Sequence, residues 1–164
     1  MSTKDTLLRQ FTKCYDENGW FVAVRNAIEG VNVEQAAWKN EDSVNCIWET
    51  LSHLTYYNYA YLQRFKGIEY EYDVSNNEET FSTGEYTESD WQADVARFDA
   101  VMTEWRRLIE SADESKFSEP VPTNPSRTWA ELIADVNAHN AHHGGQIVLL
   151  RKLQGSWDSS GGVS

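Results

Sequence analysis

Six large apolar residues recur at alternating steps of four and three positions between residues 91 and 109 of this 164-residue chain. They are Trp91, Val95, Phe98, Met102, Trp105 and Ile109. Side chains at this spacing lie on one face of an α-helix, because an α-helix has about 3.6 residues per turn. The pattern covers less than three heptads, so it indicates one helix of a bundle and not a long coiled coil. Thr87 or Ser89 is a suitable N-cap for this helix.

Three further segments carry an apolar stripe of the same kind and predict three more helices. The first runs from residue 4 to about 28, and the second from about 43 to 66 with Asp42 or Ser43 as its N-cap. The last begins at Ser126 or Thr128 and has inward residues from Trp129 to Leu153. Because all three prolines lie between 120 and 125, the segment 111–127 is predicted to be a loop, and the rest of the chain is free to form helices. The predicted fold class is all-α.

The connections between these helices differ in length. Residues 30–42 read as a short connection with one helical turn near 33–37. Residues 67–88 are polar and acidic and have no helical period, so they form a long connection or a short irregular hairpin. Their length exceeds what neighbouring antiparallel helices in a bundle need. We therefore expect this segment to cross the bundle. We expect a single domain over residues 1–155 and a flexible tail over 156–164, which is rich in glycine and serine.

The charge and hydropathy of the chain argue against two classes of partner. The formal net charge is −12, from 26 acidic and 14 basic residues, so the protein should repel nucleic acid and anionic lipid surfaces. No segment approaches the roughly 18 apolar residues of a membrane span, and the first residues lack the apolar core of a signal peptide. We expect a cytoplasmic protein with no nucleic-acid or membrane partner.

Three of the four histidines lie close together in the last predicted helix. His139 and His143 are four positions apart, so they project from the same face, and they take inward positions of an otherwise apolar stripe. His142 lies about 100° away from that face and is predicted to be a flanking residue. The fourth histidine, His53, lies at the edge of the apolar stripe of the second predicted helix.

Two histidines on a buried face need partners, because an unsatisfied buried polar group costs about 1–3 kcal/mol. A pair of hydrogen-bonded core histidines would meet this need, and so would a shared metal ion. A third histidine on another helix favours a metal site formed by His53, His139 and His143. The ligand type does not choose the metal, since imidazole suits zinc, copper, iron and nickel. Gly144 and Gly145, which follow the pair, indicate either close helix packing or space beside the metal.

Two motifs resemble those of the DinB-like (damage-inducible) proteins, which are relatives of bacillithiol and mycothiol S-transferases. One is Leu51-Ser52-His53-Leu54, and the other runs from His139 to Gln146. The second is similar to the family pattern of two histidines separated by three residues and usually followed by Arg-Gly-Gln, with Gly144 in place of the arginine. The resemblance implies a four-helix bundle of up-down-down-up order with a long crossover between helices 2 and 3. It also implies a nickel or zinc ion held by His53, His139 and His143, often in a homodimer.

Three protein ligands leave at least one coordination position open, as in catalytic metal sites. A thiol loses its proton on coordination, and the thiolate is the nucleophilic form. We therefore expect a transferase that joins a low-molecular-weight, bacillithiol-type thiol to an electrophilic substrate in stress response or detoxification. Two residues are candidates for orienting a metal ligand by a hydrogen bond without binding the metal themselves. They are Gln146 and Glu49, and Glu49 lies one turn before His53.

Two alternatives stay open at this point. The first is a metal-dependent hydrolase with water in the open position, for which the sequence offers no general base near the ligands other than Glu49. The second is a non-catalytic stress-response bundle in which the metal only joins two helices.

Overall fold

The computed structural model describes residues 1–41 and 45–161. The described part contains six α-helices and one short hairpin: α1 (Thr3–Tyr15), α2 (Val24–Ile28), α3 (Val33–Ala37), α4 (Ile47–Phe65), α5 (Glu88–Ser111), β1 (Pro120–Val121), β2 (Asn124–Thr128) and α6 (Trp129–Leu153). The prediction of an all-α chain is therefore confirmed, apart from the hairpin. No helix in these residues is both long and apolar enough to cross a membrane.

The four long helices pack around a common core. Helix α4 contacts α5 and α6, and α1 contacts the same two helices from the other side. Their facing surfaces bury large aromatic side chains, among which are Trp48, Trp91, Trp105 and Trp129. The short helices lie on the outside of this arrangement, with α2 against α6 and α3 against α4. Because α4 and α6 contact each other directly, their histidines can meet.

The first helix is much shorter than predicted. It ends at Tyr15, and the next helical residues are those of α2. Between the two, the Asn18 side chain accepts hydrogen bonds from the backbone N–H of Ala23 (3.0 Å) and from Asn26 Nδ2 (2.8 Å). Asn18 and Gly19 form a common turn signal that the apolar spacing on both sides obscured. The prediction of one helix from residue 4 to about 28 is therefore wrong.

The other helix boundaries agree more closely with the sequence. Helix α3 lies where a helical turn was predicted. Helix α4 begins after Cys46, whereas the predicted N-caps at 42 and 43 lie outside the described residues. Thr87 and Thr128 cap α5 and α6 as expected. Leu153 was predicted to face inward, but its side chain is 54% exposed at the end of α6.

The proline-rich segment is more regular than predicted. A 3₁₀ helix spans Glu114–Ser118, and β1 pairs with β2 in antiparallel register, with Pro120 opposite Thr128 and Val121 opposite Asn124. The expectation of an irregular loop is wrong here, because prolines at a strand edge leave enough backbone donors for a short hairpin. The connection 67–88 is irregular as predicted, except for one 3₁₀ turn at Asn77–Thr80.

The start of the predicted tail lies against α6. Arg151 donates from Nη2 to the Ser156 carbonyl (2.8 Å), and its guanidinium lies 5.2 Å from the ring centre of Trp157. Trp157 is partly buried against the core. The flexibility of residues 156–164 stays a prediction.

Candidate metal centre

Three histidine side chains converge between α4 and α6. His53 comes from α4, and His139 and His143 come from α6. The Nε2 atom of His139 lies 2.9 Å from Nε2 of His53 and 3.0 Å from Nε2 of His143. One nitrogen from each of the three rings lies within 4.8 Å of the other two. Two nitrogens bound to one ion at about 2.0–2.1 Å each can be separated by at most about 4.2 Å. The two measured separations meet this limit.

A loop residue determines which nitrogen of His53 carries the proton. Thr80 donates its hydroxyl proton to the Asn77 carbonyl (2.6 Å), so its oxygen can only accept from His53 Nδ1, at 2.7 Å. His53 therefore carries its proton on Nδ1. The lone pair of Nε2 is then directed at the other two histidines, which is the arrangement found in metal-binding histidines.

Gln146 has the same effect on His143. Its Oε1 atom is an acceptor and lies 2.6 Å from His143 Nδ1, which must therefore donate. The Nε2 atom of His143 is left with a free lone pair. The amide nitrogen of the same glutamine lies 3.2 Å from Nε2 of His142. Gln146 thus holds two histidine rings at once, from an otherwise exposed position.

Burial keeps these rings neutral. Removal from water, together with repulsion between neighbouring positive rings, lowers the pKa of His53 to about 3 and that of His139 to about 4. The pKa of His143 is also lowered, mainly by burial, although its bond to Gln146 acts in the opposite direction. Neutral imidazole is the form that binds metal ions. Protons therefore do not compete for these nitrogens near neutral pH.

Aromatic rings enclose the cluster on one side. Phe81 stacks on His53 with ring centres 4.0 Å apart and an angle of 11° between the planes. Tyr57, one turn after His53 on α4, contacts the edges of His53 (5.0 Å) and His139 (5.9 Å). Phe81 comes from the connection 67–88, so this segment covers the cluster and also fixes the protonation of His53 through Thr80.

The remaining side opens into a cavity of about 500 Å³. Its lining includes Tyr61 of α4, Leu132 and Asp135 of α6, and Arg127 at the end of β2. Arg127 forms an ion pair with Asp135. The cavity is within the range of about 300–1,000 Å³ that is usual for small-molecule sites. The cluster can therefore be reached by a small molecule.

The sequence profile of the DinB superfamily matches residues 21–147, which include all three clustered histidines. The chain belongs to the DinB superfamily. No curated protein and no solved structure matches it. The matched region of this DinB-superfamily chain contains α2 to α5 and most of α6.

The other two candidate side chains, Gln146 and Glu49, have different contacts in this DinB-superfamily protein. Gln146 contacts the cluster as described. Glu49 instead accepts from the backbone N–H of Cys46 (2.8 Å) and from Lys39 Nζ (2.8 Å), so it caps the start of α4. The N-cap geometry draws its carboxylate back toward the helix start, and a role of Glu49 in orienting a ligand stays a prediction. His142 lies outside the group of three, as predicted.

Sequence reasoning missed several residues of the site. Thr80 and Phe81 lie in a segment without periodicity, so no spacing pointed to them. Asp135 had a usable signal, since it lies one helical turn before His139 and so near the same face. The pairing of Asn58, which lies on the predicted inward stripe, with Asn140 also escaped notice. Their buried amides pair reciprocally at 2.7 and 3.2 Å and join α4 to α6 beside the histidines.

The two glycines after His143 have different surroundings. A Cβ atom on Gly144 would lie 3.3 Å from Val24 Cγ2 and 3.5 Å from the Val22 carbonyl oxygen, whereas one on Gly145 would meet nothing within 4 Å. Gly144 therefore permits close packing of α6 on the segment that leads into α2. This supports the packing explanation for Gly144 and leaves Gly145 without a packing reason.

Proposed function

We propose that this DinB-superfamily protein is a divalent-metal-dependent S-transferase that joins a low-molecular-weight thiol of the bacillithiol type to an electrophile. The observation that carries the proposal is the convergence of three neutral histidine nitrogens at the wall of a cavity sized for a small molecule. Nickel and zinc are the ions we propose, with His53, His139 and His143 as the ligands.

The donor set fits such an ion. Thr80 and Gln146 hold the protons of His53 and His143 on Nδ1, and burial lowers the pKa values of all three rings. When bound, a divalent ion supplies a positive charge that lowers the pKa of a coordinating thiol and favours its nucleophilic thiolate form. No cysteine of the chain belongs to the cluster, since it consists of histidines alone in the described residues.

The protein's own residues would bind and orient the substrates. Tyr57 and Phe81 form an apolar wall that excludes water from one side of the histidines. Tyr61, Leu132 and Val136 extend this wall along the cavity and suit the apolar part of an electrophile. In the reaction a sulfur–carbon bond forms and the bond from carbon to the leaving group breaks, with release of the thiol proton and the leaving group.

Several wider features belong to the same proposal. We propose that α1, α4, α5 and α6 form the four-helix bundle in up-down-down-up order, with 67–88 as the long crossover. We further propose that the protein is a cytoplasmic homodimer that acts in stress response or detoxification on small molecules, without nucleic-acid or membrane partners. The net charge of −12 supports the last point.

A second candidate function is metal-dependent hydrolysis. It is favoured by Asp135, whose carboxylate lines the same cavity as the histidines and could accept a proton from water. A third candidate is a non-catalytic metal-binding bundle, in which Phe81 and Tyr57 only shield a structural ion.

Product analysis separates these three functions. The zinc- or nickel-loaded protein is incubated with bacillithiol and 1-chloro-2,4-dinitrobenzene, and thioether and chloride are quantified against a no-enzyme blank. We expect catalysed thioether formation that is lost in the His139→Ala variant and kept in His142→Ala. Absence of turnover with bacillithiol and with surrogate thiols, while metal binding is intact, would contradict the transferase proposal. Turnover of ester or amide substrates that depends on Asp135 would instead favour hydrolysis.

A further inference from the structure

A second cavity adjoins the one beside the histidines. It has a volume of about 340 Å³ and lies between α4 and the β1–β2 hairpin. The two cavities share three lining residues, Tyr61, Arg127 and Leu132. We call the second one the arginine cavity, because Arg64 and Arg127 both line it. A ligand that begins at the histidines can therefore continue into it.

The register of α4 aligns the two cavities. His53, Tyr57, Tyr61 and Arg64 follow one another at steps of four, four and three, so they lie along one face of the helix. Eleven residues at about 1.5 Å rise place Arg64 roughly 16 Å from His53 along the axis. Leu132 and His139 of α6 line the opposite side of the histidine cavity. The two helices thus form a passage from the metal site to the arginines.

Arg64 carries a charge that none of the described acidic residues neutralises at close range. Its guanidinium donates to the Tyr70 carbonyl (3.2 and 3.3 Å) and to the Tyr72 hydroxyl (3.2 Å). It also lies over the ring of Tyr72, at 4.5 Å, and near that of Tyr61, at 5.5 Å. Across residues 1–41 and 45–161, no carboxylate oxygen lies within 4.0 Å of it. These neutral contacts fix the orientation of the group and leave its charge available.

Arg127 is held differently. One of its terminal nitrogens, Nη2, bonds to the Glu131 carbonyl (3.2 Å) and to Asp135. Its Nε and Nη1 atoms have no acceptor in the described part of the chain, although the side chain is only 33% exposed. The guanidinium can therefore still donate hydrogen bonds to an anionic group such as a carboxylate or phosphate, which is its preferred type of acceptor. Among the other lining groups, the hydroxyls of Tyr61 and Thr123 can donate as well, whereas Tyr72 already donates its proton to the Tyr61 hydroxyl (3.4 Å).

We propose that the arginine cavity is an anion-binding subsite. It holds a carboxylate or phosphate group at one end of the substrate, while the reactive end of the same molecule lies at the histidines. The substrate class is thus an elongated molecule with an apolar or aromatic middle, which lies along Tyr57 and Tyr61, and an anionic terminus. The assignment of this anion to a substrate rests on the proposed function, whereas the binding of the anion itself does not.

Binding of non-thiol probes tests the subsite independently of catalysis. Isothermal titration calorimetry compares the binding of 6-phenylhexanoate, 6-phenylhexyl phosphate and the neutral 6-phenylhexanol to the metal-free protein. We expect at least one anion to bind about tenfold more tightly than the alcohol, and the better of the two identifies the preferred group. Equal affinity for the alcohol and both anions would overturn the proposal.

Three variants locate the effect. Arg64→Gln should reduce the preference for the anion to about twofold or less, whereas Arg107→Gln, an equal charge change at an exposed position of α5, should leave it unchanged. Asp135→Asn should strengthen anion binding several-fold, because it frees Arg127 from its ion pair. If Arg64→Gln and Arg107→Gln change the preference equally, only the net charge matters and the subsite is refuted. If the protein prefers the anions to the alcohol but has no transferase activity, the proposed function is contradicted and the anion-binding subsite is not.

Discussion

The two sides of the histidine cluster are built in different ways. On the side of α4 and α6, helix register alone brings His53, His139 and His143 together. On the other side, the irregular connection 67–88 places Thr80 and Phe81 against His53. The difference indicates separate roles: the helices supply the nitrogen atoms that we propose as metal ligands, and the connection fixes the protonation of His53 and keeps water from its ring. Changes on the helical side should therefore remove metal binding, and changes in the connection should only weaken it.

The largest effect is expected from the three histidines proposed as metal ligands. Replacing His53, His139 or His143 by alanine should reduce the binding of Ni²⁺ or Zn²⁺ below detection by calorimetry, because two imidazoles are left to hold the ion. His142→Ala is the matched control on the same helix and should keep one ion per chain. Equal loss from His142→Ala would break the distinction between the three clustered rings and their neighbour.

Thr80 tests the contribution of the connection. Thr80→Val preserves the shape of the side chain but removes the oxygen that accepts from His53 Nδ1. Metal affinity should fall by roughly 10–100-fold, which is usual when a partner of a metal-binding histidine is lost. Thr80→Ser keeps the hydroxyl and should bind nearly as well as the wild type. An unchanged affinity in the valine variant would show that helix register alone orients His53.

The pH dependence of stability reports on the burial that Phe81 provides. His53 has a folded-state pKa of about 3, well below the ordinary value near 6.5, so the unfolded chain binds the proton first as the pH falls. The metal-free protein should therefore be most stable above pH 6.5 and lose on the order of 2 kcal/mol between pH 6.5 and 5 through this residue. Urea unfolding at several pH values measures this loss.

The matched variants for this test are His53→Asn and Phe81→Ala. The first removes the titrating ring, and the second exposes it to water, so both should flatten the dependence on pH. If Phe81→Ala leaves the dependence as steep as in the wild type, the stacked ring does not control the pKa of His53.

Substitutions of Gly144 and Gly145 test the packing of α6, and their expected effects are smaller. Gly145→Ala should raise the free energy of unfolding by up to about 1 kcal/mol, because alanine favours a helix more than glycine does and the site has free space. Gly144→Ala should gain less or destabilise, since its Cβ would lie 3.3 Å from Val24. Denaturant unfolding of the two variants measures the difference. Equal stabilisation by both would show that α6 does not need its close approach to the segment before α2.

Most of the site could be predicted from the sequence, because most of its residues lie in regular helices. The i, i+4 spacing of His139 and His143, with His53 at the edge of another apolar stripe, was sufficient to name the three clustered residues. Thr80 and Phe81 could not be found in this way, because the position of a loop residue depends on packing that no local period records. The break after Tyr15 was missed for a related reason, since apolar residues on both sides of Asn18 and Gly19 continued a helical spacing through a turn. Glu49 shows a limit of helical spacing, which places it one turn before His53 but does not show that its carboxylate bonds to the Cys46 N–H and to Lys39.

X-ray absorption spectroscopy of the zinc-loaded protein tests most directly whether His53, His139 and His143 bind the ion. If they do, the first shell contains three imidazole nitrogens at about 2.0–2.1 Å from the ion. The imidazole contribution should fall by one third or disappear in the His139→Ala variant, and His142→Ala should leave the spectrum unchanged. A first shell with one imidazole or none, or with sulfur from Cys14 or Cys46, would contradict the account.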